Sequence, residues 1–214
     1  LFKIKNRPQW YTVSGRSKTY VKKILKTING EHFKNYKITK VLRSQNKTRL
    51  YHDSSNKYFE YDKVVFAVHA DEALKLINDP TENEKKILEN FQYKKNIAYL
   101  HNDNRLMPKK ANAWSSWNSI LDKNDTKKNC VTYWLNKLQN LKTEKNYFLT
   151  LNPFIPIEED KIIKKVEFAH PFYDIKTINA QRNLLKLQGV NNTYFCGSYF
   201  GYGFHEDGLN SGID

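Results

Sequence analysis

The closing stretch "YFCGSYFGYGFHEDGLNSGID", from Tyr194 to Asp214, gathers the residue types that a ligand site needs. Five of the chain's eight glycines lie here, at 197, 201, 203, 208 and 212, interleaved with aromatics and with His205, Glu206 and Asp207. The preceding "TYFC" is apolar, the pattern of a short buried strand. A strand that ends in glycine and passes through a glycine-containing loop into a helix sets unpaired backbone N–H groups at a sheet edge, beside the positive end of the helix dipole. Such an arrangement accepts a phosphate, a carbonyl or the edge of a flavin ring. Gly208, Ser211 and Gly212 fall on nearly one face of that helix, where small side chains allow close approach to a strand or an extended ligand. A tight turn with close packing would use the same glycines. A dinucleotide fingerprint fits poorly: Gly201 and Gly203 have its first spacing, but Glu206 occupies its sixth position.

The elements that must position these residues follow from periodicity. "QWYTVSG" reads as a short strand ending at Gly15. "SKTYVKKILKTI" reads as a helix with Tyr20, Val21, Ile24, Leu25 and Ile28 at helical spacing, capped by Ser17 and stopped by Asn29-Gly30. "YKITKVLRS", "KTRLYHDS" and "KYFEYDKVVFAVHA" give three or four strands of a meander, divided by the polar turns "SQNK" and "SSNK". Val64 to Val68, continuously apolar, forms a buried strand. Asp71 opens the helix "DEALKLI", and Asp79-Pro80 with Thr81 caps "ENEKKILENF". "NIAYLHND", "ANAWSSWNS", "NCVTYWLNKLQ" and "NYFLTLNP" are aromatic-rich strands, which suggests an antiparallel sheet over something large and apolar. "KTINAQRNLLKLQG" reads as one helix stopped by Gly189.

Composition excludes several classes. At 214 residues with 39% hydrophobic and 14% aromatic content, the chain has enough apolar periodicity for one large domain or two small ones. It starts at Leu1 and its single methionine is Met107, so it reads as a fragment, and a targeting segment could precede it. No stretch has the length of a spanning helix, and none opens the chain as a signal peptide would. Cys130 and Cys196 have no metal spacing and read as two reduced thiols in a reducing, cytoplasmic setting. "AVHADE" and "FHED" are isolated, so no metal site is expected. The net charge of +14 points toward anionic partners, but the lysines are dispersed in small groups such as Lys22-Lys23 and Lys161, Lys164 and Lys165. None is interleaved with stacking aromatics, so a solvated surface is the simpler reading and no nucleic acid is expected.

"TYFCGSYFGYGFHEDGLNSGID" resembles the C-terminal flavin signature of the flavin-containing amine oxidase superfamily, and within it the bacterial NAD/FAD-binding branch with a "GFHEDG" box. "WYTVSGRSKTYV", "YDKVVFAVHADEALKLI", "LMPKKANAWSSWN", "VTYWLNKLQNL", "LTLNP" and "AHPFYD" are similar to that branch in the same order. The resemblance implies an α/β fold, α+β in its substrate part: a Rossmann-like FAD/NAD(P)-binding two-domain flavoprotein, truncated here at both ends. Residues 10–77 and 173–214 would belong to the FAD-binding domain and 78–172 to the substrate domain. The Gly-rich pyrophosphate turn would lie before Leu1.

Carried over by position, the cofactor contacts implied are Gly15, Arg16 and Ser17 near the isoalloxazine, and Gly197 and Ser198 beside the ribityl and pyrophosphate. Phe204, His205, Glu206 and Asp207 would lie at the pyrimidine edge. Two departures stand out: Ser198 where many members carry an acid, and Arg16 in place of the loop's second glycine. Hydride transfer to flavin needs geometry and a dry pocket more than an acid or base, so the catalytic residues stay unassigned. Trp114, Trp117, Asn118, Tyr133, Trp134, His170, Tyr173 and His205 are the candidates. Against them, tryptophans in alternating strands are more often core, and His170 before Pro171 is more often a turn residue. The activity implied is FAD-dependent oxidation of a small apolar substrate, such as a lipid acyl chain or an isoprenoid, with room for peripheral membrane contact. A flavin-fold protein without turnover and a basic module for anionic lipid or nucleic acid are the alternatives.

Overall fold

A computed structural model of the chain describes residues 11–44, 46–52, 57–125 and 128–213. In chain order the regular elements are α1 (Ser17–Thr27), β1 (Ile38–Arg43), β2 (Thr48–His52), β3 (Tyr58–Tyr61), β4 (Val64–Phe66), α2 (Ala70–Leu76), α3 (Glu82–Leu88) and β5 (Gln92–His101). There follow β6 (Trp117–Leu121), β7 (Asn129–Trp134), α4 (Leu135–Leu138), β8 (Phe148–Leu151), β9 (Ile162–Phe172), α5 (Ile175–Gln181), β10 (Thr193–Phe195) and α6 (His205–Ile213). They fall into two units, the first Leu1–Lys34 with Leu100–Ile163, the second Asn35–Tyr99 with Lys164–Asp214. Among the described residues no helix is long and apolar enough to cross a membrane, and no group of His, Cys, Asp and Glu could hold a metal ion.

In the second unit β1, β2 and β3 form the expected antiparallel meander, with Val41 opposite Leu50 and Thr48 opposite Tyr61. β4 leaves it and pairs in parallel with β10, Phe66 opposite Phe195. Alternation puts Val64, Phe66, Thr193 and Phe195 on the buried face, where the Phe66 and Phe195 rings stack at 5.5 Å. Val65 points the other way and is 60% exposed, so the continuous apolar run is buried on one side only. Thr81 caps α3 in a full capping box with Glu84. The fully buried Glu84 carboxylate also takes both guanidinium nitrogens of Arg43, joining β1 to α3. Removing one partner of such a pair costs about 3–5 kcal/mol, because the other charge stays buried alone.

Hydrogen bonding also closes one edge of the β4–β10 pair. The Cys196 N–H donates to Phe66 O at 3.0 Å, so alternation turns the Phe195 backbone away from β4. There the Gln188 carboxamide accepts from Phe195 N at 2.8 Å and donates to Phe195 O at 2.7 Å, and Gly189 N donates to Thr193 O. One side chain thus stands in for a neighbouring strand.

The first unit is built on β6, β7 and β8, antiparallel, with Trp117 opposite Tyr133 and Val131 opposite Leu151. The end of β5 continues this sheet beside β8. Its interior is polar at one line of residues: His101 Nε2 lies 2.8 Å from Thr150 Oγ1, which lies 2.8 Å from Thr132 Oγ1, all three buried. Asp103 N donates to His101 Nδ1, so the ring is held neutral, and burial pulls its pKa down to about 4. Arg105 grips the buried Asp103 carboxylate and holds it well below the usual carboxylate range.

Several expectations need correction. Residues 11–15 form no strand: Arg16 N donates to Val13 O in a turn, and Tyr11 is 88% exposed; Gln9 and Trp10 lie outside the described residues. Ser17 is the first residue of α1 rather than its cap, and Arg16 holds the cap position without a side-chain bond. The single helix expected through Gly189 is two. α5 ends at Gln181, and Leu184–Leu187 tightens into a 3₁₀ turn. In that geometry residues three apart eclipse, which buries Leu184 and Leu187 together. "NCVTYWLNKLQ" is a strand only to Trp134 and then makes one helical turn.

Candidate functional site

The loop from Gly197 to Phe204 is held from three sides. β10 delivers the chain to Gly197 at φ 153, where a Cβ would lie 2.7 Å from the ring of Tyr199, itself 3% exposed. Ser198 starts a short turn and its carbonyl accepts from Gly201 N and Gly203 N at 3.2 and 3.1 Å. The Gln181 carboxamide donates to Tyr199 O and Gly201 O at 2.9 and 2.6 Å. Ser211 Oγ on α6 accepts from Gly197 N at 2.9 Å, and Gly208 passes Ser198 closely enough that a Cβ would sit 3.5 Å from its nitrogen. Gly212, expected on the same close face, has open space around it.

The helix start is not a row of unpaired donors. Asp207 Oδ2 accepts from Tyr202 N at 3.0 Å and from Phe204 N at 2.8 Å, and a Cβ on Gly201 would run into the same carboxylate. A negative charge already occupies the positive end of α6. His205 and Glu206, the first residues of α6, are exposed. The Tyr173 hydroxyl is buried with no hydrogen-bond partner among the described residues, and a Cβ on Gly203 would lie 3.1 Å from it. Burial and the Asp207 charge both raise its pKa. On the other side of the loop a cavity of about 530 Å³ is lined by Val65, Tyr194, Cys196, Gln181, Leu185 and Ser211 among others.

Gly15, Arg16 and Ser17 lie in the first unit. Gly15 has φ 78, and Arg16 has φ 67 with ψ −176, a region that glycine alone populates freely. Arg16 therefore holds a backbone conformation usual for glycine. It lines a cavity of about 520 Å³ whose walls include Leu100, Leu135, Leu141 and Tyr147, with Lys142 the second cation.

The aromatic candidates divide. Trp114 packs edge-on to Trp134 at 5.3 Å and to Phe148 at 5.7 Å, with indole donors given to Pro108 O and Asn146 Oδ1, so this pair is a packed cluster. Asn118 is buried and spends its carboxamide on Ser115 N, Ser115 O and Thr132 O, a brace for the sheet. Trp117 is 61% exposed beside Tyr133. His170 sits inside β9 rather than in a turn, exposed, its Nδ1 2.9 Å from Asn96 Nδ2. Sequence reasoning missed Gln181 and Gln188, whose side-chain amides organise the loop and the strand edge; amide side chains carry no periodic signature that would have marked them.

No protein-family model matches the sequence, and no curated protein matches it. Solved structures do match in fold. The CLA-producing fatty acid isomerase from P. acnes superposes with a TM-score of 0.63 at 12% identity, over 92% of this chain and 51% of that one. Putrescine oxidase bound to putrescine gives 0.60 at 10% identity, over 92% and 51%. Cyclohexylamine oxidase from Brevibacterium oxydans IH-35A gives 0.54 at 10%, over 82% and 46%. The fold implied by the sequence resemblance, a mixed helix-and-strand FAD-binding flavoprotein fold, is the fold of this chain. The chain spans about half the length of the solved proteins it matches.

Proposed function

We propose that the protein is an FAD-dependent oxidoreductase that removes hydride from an apolar organic substrate. The observation that carries the reading is the fold shared over nine-tenths of the chain with putrescine oxidase and with a fatty acid isomerase. Local chemistry supports it. The chain leaves β10 at Gly197, and the positive end of the α6 dipole meets the loop that follows. The Tyr173 hydroxyl, buried and unpartnered among the described residues, is a polar group that a bound cofactor would satisfy. In this reading Gly197, Ser198 and the backbone of His205 and Glu206 hold the cofactor in the second unit. Asp207 shapes the loop, since its carboxylate is already engaged with Tyr202 and Phe204. FAD, when bound, supplies the two-electron acceptor.

An apolar substrate suits the cavity beside Arg16, whose walls include Leu100, Leu135, Leu141 and Tyr147. A lipid acyl chain or an isoprenoid fits such walls. The test is the visible spectrum of protein expressed from the complete reading frame and passed through gel filtration. Flavin bands that persist and bleach under anaerobic reductant are expected. A folded, colourless protein that also refuses added FAD would sink the reading, and bands that resist every reductant would reduce it to binding without turnover.

A further inference from the structure

α3 and α5 turn one face each into a common groove of about 410 Å³ in the second unit, apart from the residues assigned to the cofactor. α3 and the residues after it contribute Asn83, Lys86 and Asn90; α5 and the turn after it contribute Lys176, Asn179 and Lys186. Spacings of three and four residues keep Asn83, Lys86 and Asn90 on one side of α3, and Lys176 and Asn179 share a side of α5, while Lys186 comes from the Leu184–Leu187 turn. The floor is apolar and closed, Ile87 at 8% and Ala180 at 7% exposure. The two helices are tied together by the buried Thr177 hydroxyl, which donates to Asn90 O at 2.9 Å. Three lysines therefore line one groove whose walls include no carboxylate.

Lys47, Lys75, Lys85 and Lys161 pair with Asp62, Asp71, Glu82 and Glu158, whereas Lys86, Lys176 and Lys186 enter none of the ion pairs among the described residues. The nearby acid, Asp174, feels the charge of Lys176 but accepts from Thr177 N at 2.8 Å. Lysines gathered along one groove with no carboxylate in its lining offer their charge to an anion.

We propose that this groove binds a ligand through clustered phosphate groups. Lysine suits them: its ammonium is a compact charge with three rotatable donors, and no arginine lines the groove to fork onto a planar carboxylate. A phosphomonoester carries about −1.5 to −2 at pH 7, so two phosphates match three lysines. Asn83 and Asn179 add neutral donors at the rim. The phosphates belong to a soluble oligophosphate or to a phosphorylated lipid headgroup, which present the same chemistry.

The experiment is calorimetric titration of the full chain with inorganic tripolyphosphate at low ionic strength. One saturable site is expected, weakened at least about tenfold in Lys86→Gln/Lys176→Gln/Lys186→Gln. Lys109→Gln/Lys110→Gln/Lys123→Gln, which removes equal charge from exposed positions outside the groove, should bind as the parent does; circular dichroism checks that both variants fold. Co-sedimentation with phosphatidylcholine vesicles containing phosphatidic acid separates the sources. Vesicle binding that tripolyphosphate displaces and the groove variant loses assigns the phosphates to lipid, and tripolyphosphate binding without vesicle binding assigns them to a soluble ligand. No saturable binding, or equal weakening in both variants, overturns the proposal.

Discussion

The turn ahead of α6 and the turn ahead of α1 both run through glycine into a helix, yet they hold their shape differently. Between Gly197 and Phe204 the crowded positions are glycines, and Gln181, Asp207 and Ser211 tie the loop with side-chain hydrogen bonds. Between Gly15 and Ser17 the unusual conformation falls on Arg16, and the bonds given there are Arg16 N to Val13 O and the Thr19 hydroxyl to Gly15 O. The first turn is over-determined by its surroundings; the second stores strain of about 1–3 kcal/mol in one residue. A strained residue beside an apolar cavity is where function is expected to set the backbone, while the α6 turn achieves the same purpose with matched residues.

The largest expected effect breaks the α6 turn. Gly197→Val should lower stability by about 3 kcal/mol or more, because the side chain must displace the buried Tyr199 ring. A urea midpoint equal to that of the parent would show that the turn is not tight. Acid should next separate the two units. His101 is buried neutral, so the unfolded chain takes up a proton near pH 6.5 but the folded chain only near 4. Stability is therefore full above pH 6.5 and lost as pH falls toward 4, on the order of 2–3 kcal/mol. Trp114, Trp117 and Trp134 all lie in the first unit, so their fluorescence reports the shift, and a midpoint constant from pH 7 to 4.5 would contradict it.

Arg16→Gly should sharpen the contrast from the other side. Relief of strain less the added freedom of the unfolded chain gives a gain of about 1 kcal/mol. A loss instead would mean that the Arg16 side chain contributes more than its backbone costs. The smallest effect is Gly212→Ala, which meets open space and should stabilise α6 by about 0.5–1 kcal/mol, seen as a small rise in melting temperature.

The reach of the sequence can be judged from particular residues. Asp79-Pro80 with Thr81 spelled the start of α3, and the apolar runs at Val64 and Thr193 spelled β4 and β10, because caps and period-two burial are local. Gly208 and Ser211 were legible as a close-packing face, whereas Gly212 was not, since the partner surface had to be present to show where contact stops. Asp207 looked like one acid among two, yet its hydrogen bonds to Tyr202 and Phe204 decide what the helix start can accept. The lysine groove was invisible for the same reason. Lys86 and Lys176 are ninety positions apart, and only the packing of α3 on α5 brings them to one wall.

Gln188 sets a direction of growth. With its carboxamide occupying both the N–H and the C=O of Phe195, β10 offers no ladder to a newcomer at that residue, and the parallel pair can lengthen sideways only past β4. A single amide thus makes β10 the terminal strand and fixes the order in which any further strand can be counted.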